Sequence, residues 1–288
     1  MTQARIKSVQ CLSPAGLHRM AYKEWGDPHN RRVLVCVHGL TRVSDDFDRL
    51  AAELAPVYRV ICPDVAGRGR SDPLPAPQHY QVPQYVSDMV TLLARADADT
   101  VHWVGTSMGG LIGMALASLP DTPVGRLVLN DVGPAISMQS LERIGSYVGQ
   151  DLRFDSFEDG ARHIREISAP FGPHSEQQWR KLAADVLRRD GQGKWMKHYD
   201  LRIAGAFRAL TPETVRQAEE ASWRAYDAIA CPTLLLRGAE SDLLLPQTAQ
   251  AMTQRGPRAR LVEFPGVGHA PTLLQDDQVA AVREFLLE

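Results

Sequence analysis

Apolar positions along the chain fall into two alternating patterns. Short continuous apolar runs at residues 33–37, 58–62, 101–104, 126–131, 233–237 and 259–264 have the length and composition of strands buried on both faces. Between them, apolar residues recur at helical spacing. Phe47, Leu50, Ala51 and Leu54 follow Ser44 or Asp45 as an N-cap, and residues 82–96 and 275–287 each read as one helix. Strands alternating with helices at this spacing imply βαβ units, hence an α/β fold with a mainly parallel, doubly wound sheet. Two earlier strands, near 6–11 and 20–25, flank the turn at Pro14, Ala15 and Gly16 and predict an antiparallel hairpin on a sheet edge.

From residue 134 to about 228 the alternation stops and amphipathic helical stretches replace it. Ser175 and Gln178 form a capping-box signature ahead of a stripe made by Trp179, Leu182, Ala183, Val186 and Leu187. Thr211-Pro212-Glu213 starts another helix, and the run from Asp190 to Gly193 breaks the chain between them. The expected organisation is a core in two parts, 1–133 and 229–288, with a helical cap over 134–228 inserted between two strands.

One junction carries the chemistry. The strand-like run 101–104 leads into Gly105-Thr106-Ser107-Met108-Gly109, and an almost wholly apolar stretch of helical length follows. A strand-to-helix reversal this tight leaves no room for a Cβ beside the serine, which explains glycine at 105 and 109. The turn lifts the Ser107 hydroxyl out of the sheet and aims the first free helix N–H, that of Met108, at whatever the serine attacks.

A serine hydroxyl is a weak nucleophile at neutral pH and needs a base, which in turn needs a group to hold its tautomer. His269, in a glycine-rich loop after the last strand, is the expected base. Asp242, in the loop after the preceding strand, is the expected acid, because the order Ser, Asp, His is the one this turn architecture uses. Asp131 and Glu240 are the competitors, and Asp131 ends the strand beside the elbow strand, from which a carboxylate can reach the same histidine. A developing oxyanion needs two fixed donors. Met108 N–H is one, and Leu40 N–H, in the loop after residues 33–37, is the expected second. His38, Asp64, Arg68 and Asp72 read as polar ties of the loops that carry them.

Composition narrows the class. With 288 residues, 44% hydrophobic and 23% charged, the chain can bury a large core, and a net charge of −2 gives no basic footprint for nucleic acid or an anionic membrane surface. No run reaches the length needed to span a bilayer, and the first residues lack an apolar leader segment, so a soluble cytoplasmic protein is expected. Cys11, Cys36, Cys62 and Cys231 lie far apart and read as reduced core residues.

The set His38-Gly39, Asp64 through Asp72, Gly105 through Gly110, Asp242 and Gly268-His269 resembles the α/β-hydrolase family, in its esterase, lactonase and C–C hydrolase branch. The resemblance covers nearly the whole chain, the cap being its least diagnostic part. It implies Ser107 as nucleophile, Asp242 as acid, His269 as base, the Leu40 and Met108 backbones as oxyanion hole, and no metal or organic cofactor. Haloalkane dehalogenases and epoxide hydrolases of this fold carry aspartate where this chain has Ser107. C–C hydrolases usually have tryptophan after the catalytic histidine, where Ala270 stands, and a glycine-rich oxyanion loop, where Leu40, Thr41 and Arg42 stand. The expected activity is therefore hydrolysis of a small-molecule carboxylic ester or lactone by a monomer or homo-oligomer. C–C bond hydrolysis, or a receptor-like member that binds and turns over slowly, are the alternatives. Trp179, Trp195, Tyr199, Phe207 and Trp223 are the aromatic residues that could line a pocket or simply pack.

Overall fold

The structure is a computed structural model that describes residues 3–288. Ten strands form in chain order: β1 (Arg5–Ser13), β2 (Gly16–Trp25), β3 (Arg32–Val37), β4 (Arg59–Pro63), β5 (Thr100–Thr106), β6 (Val124–Asn130), β7 (Leu187–Arg189), β8 (Trp195–Lys197), β9 (Thr233–Gly238) and β10 (Arg260–Phe264). Eight of them make one sheet in the order β1-β2-β4-β3-β5-β6-β9-β10. The β1–β2 and β2–β4 pairings are antiparallel and the rest are parallel. The edge hairpin expected near Gly16 is therefore present, and β1 alternates exposed and covered positions as a strand with one wet face should.

The central strands are buried on both faces because successive side chains point to opposite sides. Val33, Val35 and Val37 of β3 join one core cluster, and Leu34 and Cys36 join the other. Helices α2 (Val82–Ala96) and α3 (Met108–Ala117) cover the first face. Helices α1 (Asp48–Leu54) and α10 (Asp276–Leu287) cover the second. The span 82–96 forms the expected helix, but Ser44 and Asp45 do not cap α1. They open a 3-10 turn, Ser44–Phe47, because the Ser44 N–H is taken by the Asp64 carboxylate at 2.7 Å and Asp45 is drawn into ion pairs with Lys23 and Arg70.

Between β6 and β9 lie α4 (Met138–Tyr147), α5 (Phe157–Ile167), α6 (Glu176–Val186), α7 (Gly205–Arg208) and α8 (Pro212–Asp227). The capping box at Ser175 and Gln178 opens α6, and Thr211 caps α8 with Pro212 at its first turn. One element departs from the helical pattern of this stretch. Leu187 does not extend the α6 stripe but starts β7, and Asp190 to Gly193 form the turn of a small antiparallel hairpin with β8. The hairpin is stitched to the core where Gly69 N–H donates to His198 C=O at 3.0 Å and Asp200 N–H donates to Gly67 C=O at 2.7 Å. Helix α9 (Pro246–Met252) completes the set. The four cysteines are free, and no helix among the described residues is long and apolar enough to cross a membrane.

Candidate active site

Four strands deliver their first loop residue to the same end of the sheet: His38 after β3, Asp64 after β4, Ser107 after β5 and Asp131 after β6. Such an edge is where ligands bind in open α/β sheets. Ser107 sits at φ 52° and ψ −115°, a conformation that a non-glycine residue adopts only when its surroundings impose it. The imposition is visible. A Cβ on Gly105 would lie 2.2 Å from the Gly109 carbonyl oxygen, and one on Gly109 would lie 2.0 Å from that of Val37. The indole N–H of the buried Trp103 donates to Gly109 C=O at 3.0 Å and ties the start of α3 to its strand.

His269, from the loop after β10, reaches back over this edge. Its Nε2 is 3.0 Å from Ser107 Oγ and its Nδ1 is 2.6 Å from Asp131 Oδ2. A carboxylate can only accept, so Nδ1 carries the ring proton and Nε2 is left to accept from the serine hydroxyl. Asp131 is wholly buried, and its charge is met by donors: Gly238 N–H at 2.8 Å on Oδ1 and the Ser241 hydroxyl at 2.6 Å on Oδ2. These bonds fix the carboxylate that in turn fixes the imidazole ring.

Asp242 does not reach His269, contrary to expectation. Its side chain is 52% exposed and pairs with Arg143 of α4 at 2.7 Å. The reason is local: Ser241, one residue earlier, turns inward to bond Asp131, so Asp242 turns outward, and its own backbone carbonyl accepts from Ser140 Oγ at 2.8 Å. Glu240, the other competitor, is exposed. Asp131 and Asp242 both lie between Ser107 and His269 in the chain, so chain order could not choose between them. The pair Asn130-Asp131 closing the strand beside the elbow strand was the usable signal.

The loop after β3 approaches Ser107 closely, since a Cβ on Gly39 would lie 3.7 Å from the serine Cβ. Leu40 and Ser107 line the same cavity, and Met108 begins α3, where its N–H has no preceding helical carbonyl to bond. The polar ties are as expected. His38 is fully buried, and burial pulls its pKa down, leaving a neutral ring that donates from Nδ1 to Gly39 C=O at 2.7 Å and accepts from Val65 N–H at Nε2. Asp64 accepts from the backbone N–H groups of Ser44 and Arg70.

The cavity holding Ser107 and His269 has a volume of about 300 Å³. The segment between β6 and β9 supplies one side of it through Arg143, Ile164, Leu182 and Lys197. Its aromatic lining is Phe47, Tyr147 and Phe171; none of Trp179, Trp195, Tyr199, Phe207 and Trp223 takes part. Among the described residues, Cys11, His18 and Asp88 are the cluster whose ligand atoms converge within 4.8 Å, and none of them lines the cavity. Burial pushes the Cys11 thiol up to about 12, which opposes the thiolate a metal would need.

Residues 32–275 match the family model described as alpha/beta hydrolase fold, and the chain belongs to that family. It is thus a hydrolase by class. The 3-hydroxybutyrate-oligomer hydrolase of Cupriavidus necator is 54% identical to it over 98% of this chain and 97% of that one. Esterase YbfF of Escherichia coli is 25% identical over 90% of this chain and 94% of its own. The crystal structure of an alpha/beta hydrolase from Novosphingobium aromaticivorans superposes with a TM-score of 0.87 at 37% identity, covering 100% of this chain and 99% of that one.

Proposed function

We propose that this enzyme is a carboxylic ester hydrolase that cleaves short linear oligomers of 3-hydroxybutyrate through an acyl-enzyme. The relay from Ser107 Oγ through His269 to the buried Asp131, open to a cavity, is the observation that carries the chemistry. The relative of Cupriavidus necator, similar along almost its full length, supports the substrate class. In this reading Ser107 is the nucleophile, His269 the base and Asp131, in place of Asp242, the orienting acid. Leu40 and Met108 N–H receive the oxyanion, and residues 134–228 act as a cap that closes one side of the cavity.

The steps follow from these roles. Ser107 Oγ attacks the ester carbonyl carbon while His269 Nε2 takes the hydroxyl proton, and Asp131 stabilises the imidazolium that results. In this reading the tetrahedral oxyanion is met by the Leu40 and Met108 N–H groups, backbone donors that need little reorganisation as charge develops. Collapse breaks the bond to the alcohol oxygen, which leaves with the proton from His269. Water then attacks the acyl-enzyme with His269 again as base, releasing the acid and restoring Ser107.

The test is release of 3-hydroxybutyrate from the linear dimer and trimer by wild type and Ser107→Ala, with intact-protein mass measured after a rapid quench. Wild-type turnover, a transient mass increment of one 3-hydroxybutyryl group, and loss of both in Ser107→Ala are expected. Equal turnover by the two proteins refutes the nucleophile, and turnover confined to other esters refutes the substrate.

A further inference from the structure

The charged side chains that line the cavity differ in one respect. Arg42 is paired with Asp46 at 2.6 Å and Arg143 with Asp242 at 2.7 Å, so both cations are already neutralised. Lys197, at the end of β8, is only 8% exposed, and among the described residues no carboxylate lies within ion-pair distance of it and no acceptor bonds its ammonium. The Tyr147 ring, whose centroid lies 6.0 Å from Nζ, is its aromatic neighbour. An ammonium largely buried at a cavity wall with no counter-charge is costly, and burial accordingly lowers the Lys197 pKa.

This lysine is held firmly where it stands. Its backbone pairs with Leu187 across the β7–β8 hairpin, and the next residues, His198 to Asp200, bond the core loop at Gly67 and Gly69. A cation fixed by backbone on both sides, facing a cavity and lacking a partner, is arranged to receive an anion. The oligoester substrate proposed above, on which this inference rests, supplies one: each linear molecule ends in a free carboxylate.

We infer that Lys197 is the subsite for the free terminal carboxylate of the substrate, so that the enzyme selects linear hydroxyacid oligoesters as free acids over their neutral esters. The small cavity fits the same conclusion, because about 300 Å³ is at the lower end of ligand pockets and favours short chains.

The test compares kcat/KM for the linear 3-hydroxybutyrate dimer with that for its methyl ester, in wild type and in Lys197→Met, which keeps an unbranched side chain. Wild type should prefer the free acid by roughly tenfold to hundredfold, and that ratio should collapse toward unity in the variant, as expected for loss of one charge-assisted hydrogen bond. An unchanged ratio overturns the assignment. A second arm measures inhibition of p-nitrophenyl butyrate hydrolysis by butyrate and by methyl butyrate in both proteins. Butyrate should be the stronger inhibitor of wild type only. If the oligomer is not cleaved but butyrate inhibition depends on Lys197, the substrate reading fails and the subsite stands; if the oligomer is cleaved with no acid preference, the reverse holds. Should Lys197→Met not fold, absence of acid preference in wild type is sufficient to refute the subsite.

Discussion

The Arg68 guanidinium donates from Nε to the Leu40 carbonyl at 2.9 Å, and its Nη2 lies 3.6 Å from the sulfur of Met108. It thus touches both residues proposed to offer N–H groups to the oxyanion. Arg68 is almost wholly buried, with Nη1 held by Ala66 C=O and the Tyr85 hydroxyl. A lysine is a point charge and cannot keep this planar set of contacts. Arg68→Lys should lower kcat roughly tenfold to hundredfold while moving KM less than about threefold, because only transition-state donors lose alignment. Steady-state kinetics on p-nitrophenyl butyrate reads the split, and a loss carried by KM would assign Arg68 to substrate binding instead.

The turn at Ser107 is tightly packed whatever its chemistry. Gly109→Ala would push a methyl group to 2.0 Å from the Val37 carbonyl oxygen, so β3 or α3 must move. Overpacking of this kind costs about 1–3 kcal/mol, and the backbone contact places the expected loss at or above the upper end. Urea unfolding should show a lower midpoint with an unchanged slope. An unshifted midpoint would mean that the sheet and helix are not in the contact described.

Stability should also depend on pH through α6. Burial, opposed in part by the neighbouring Lys181, raises the Asp185 carboxyl from 3.8 to about 6. A folded-state pKa above the unfolded value means that the native state holds the extra proton between these two values, so the contribution of Asp185 to stability falls as pH rises through that window. By neutral pH the cost is on the order of 2–3 kcal/mol. Asp185→Asn should therefore be more stable than wild type at neutral pH, with the difference vanishing below the unfolded pKa. Thermal melts across that range test it, and a pH-independent difference would contradict it.

Much of the fold was legible because its signals are local. Helix 82–96 announces itself by periodicity, and β3, β5 and β9 by continuous apolar runs that need no knowledge of their neighbours. Where short range and long range compete, the sequence misleads. Leu187 fits the α6 stripe, yet a turn at Asp190 to Gly193 and pairing with β8 take it into a strand too short to show a period. Ser44 has cap chemistry, but Asp64, twenty residues away, takes its N–H.

The site divides in the same way. Ser107 and His269, which turn chemistry singles out, are brought to 3.0 Å of one another, whereas Asp131 and Asp242 are equivalent in chain order and are told apart by Ser241, in the loop after β9, which bonds Asp131. Lys197 reads as an ordinary lysine in a polar stretch; its burial exists only once the hairpin is docked on the core.

Which carboxylate serves His269 is read most directly from kcat for Asp131→Asn beside Asp242→Asn on one ester. Asp131→Asn should lose on the order of 10³–10⁴-fold, because the amide no longer holds the tautomer or meets the imidazolium charge. Asp242→Asn should change kcat by less than about threefold, as for a solvent-exposed ion pair. A collapse in Asp242→Asn with Asp131→Asn near wild type would contradict the relay from Ser107 to Asp131.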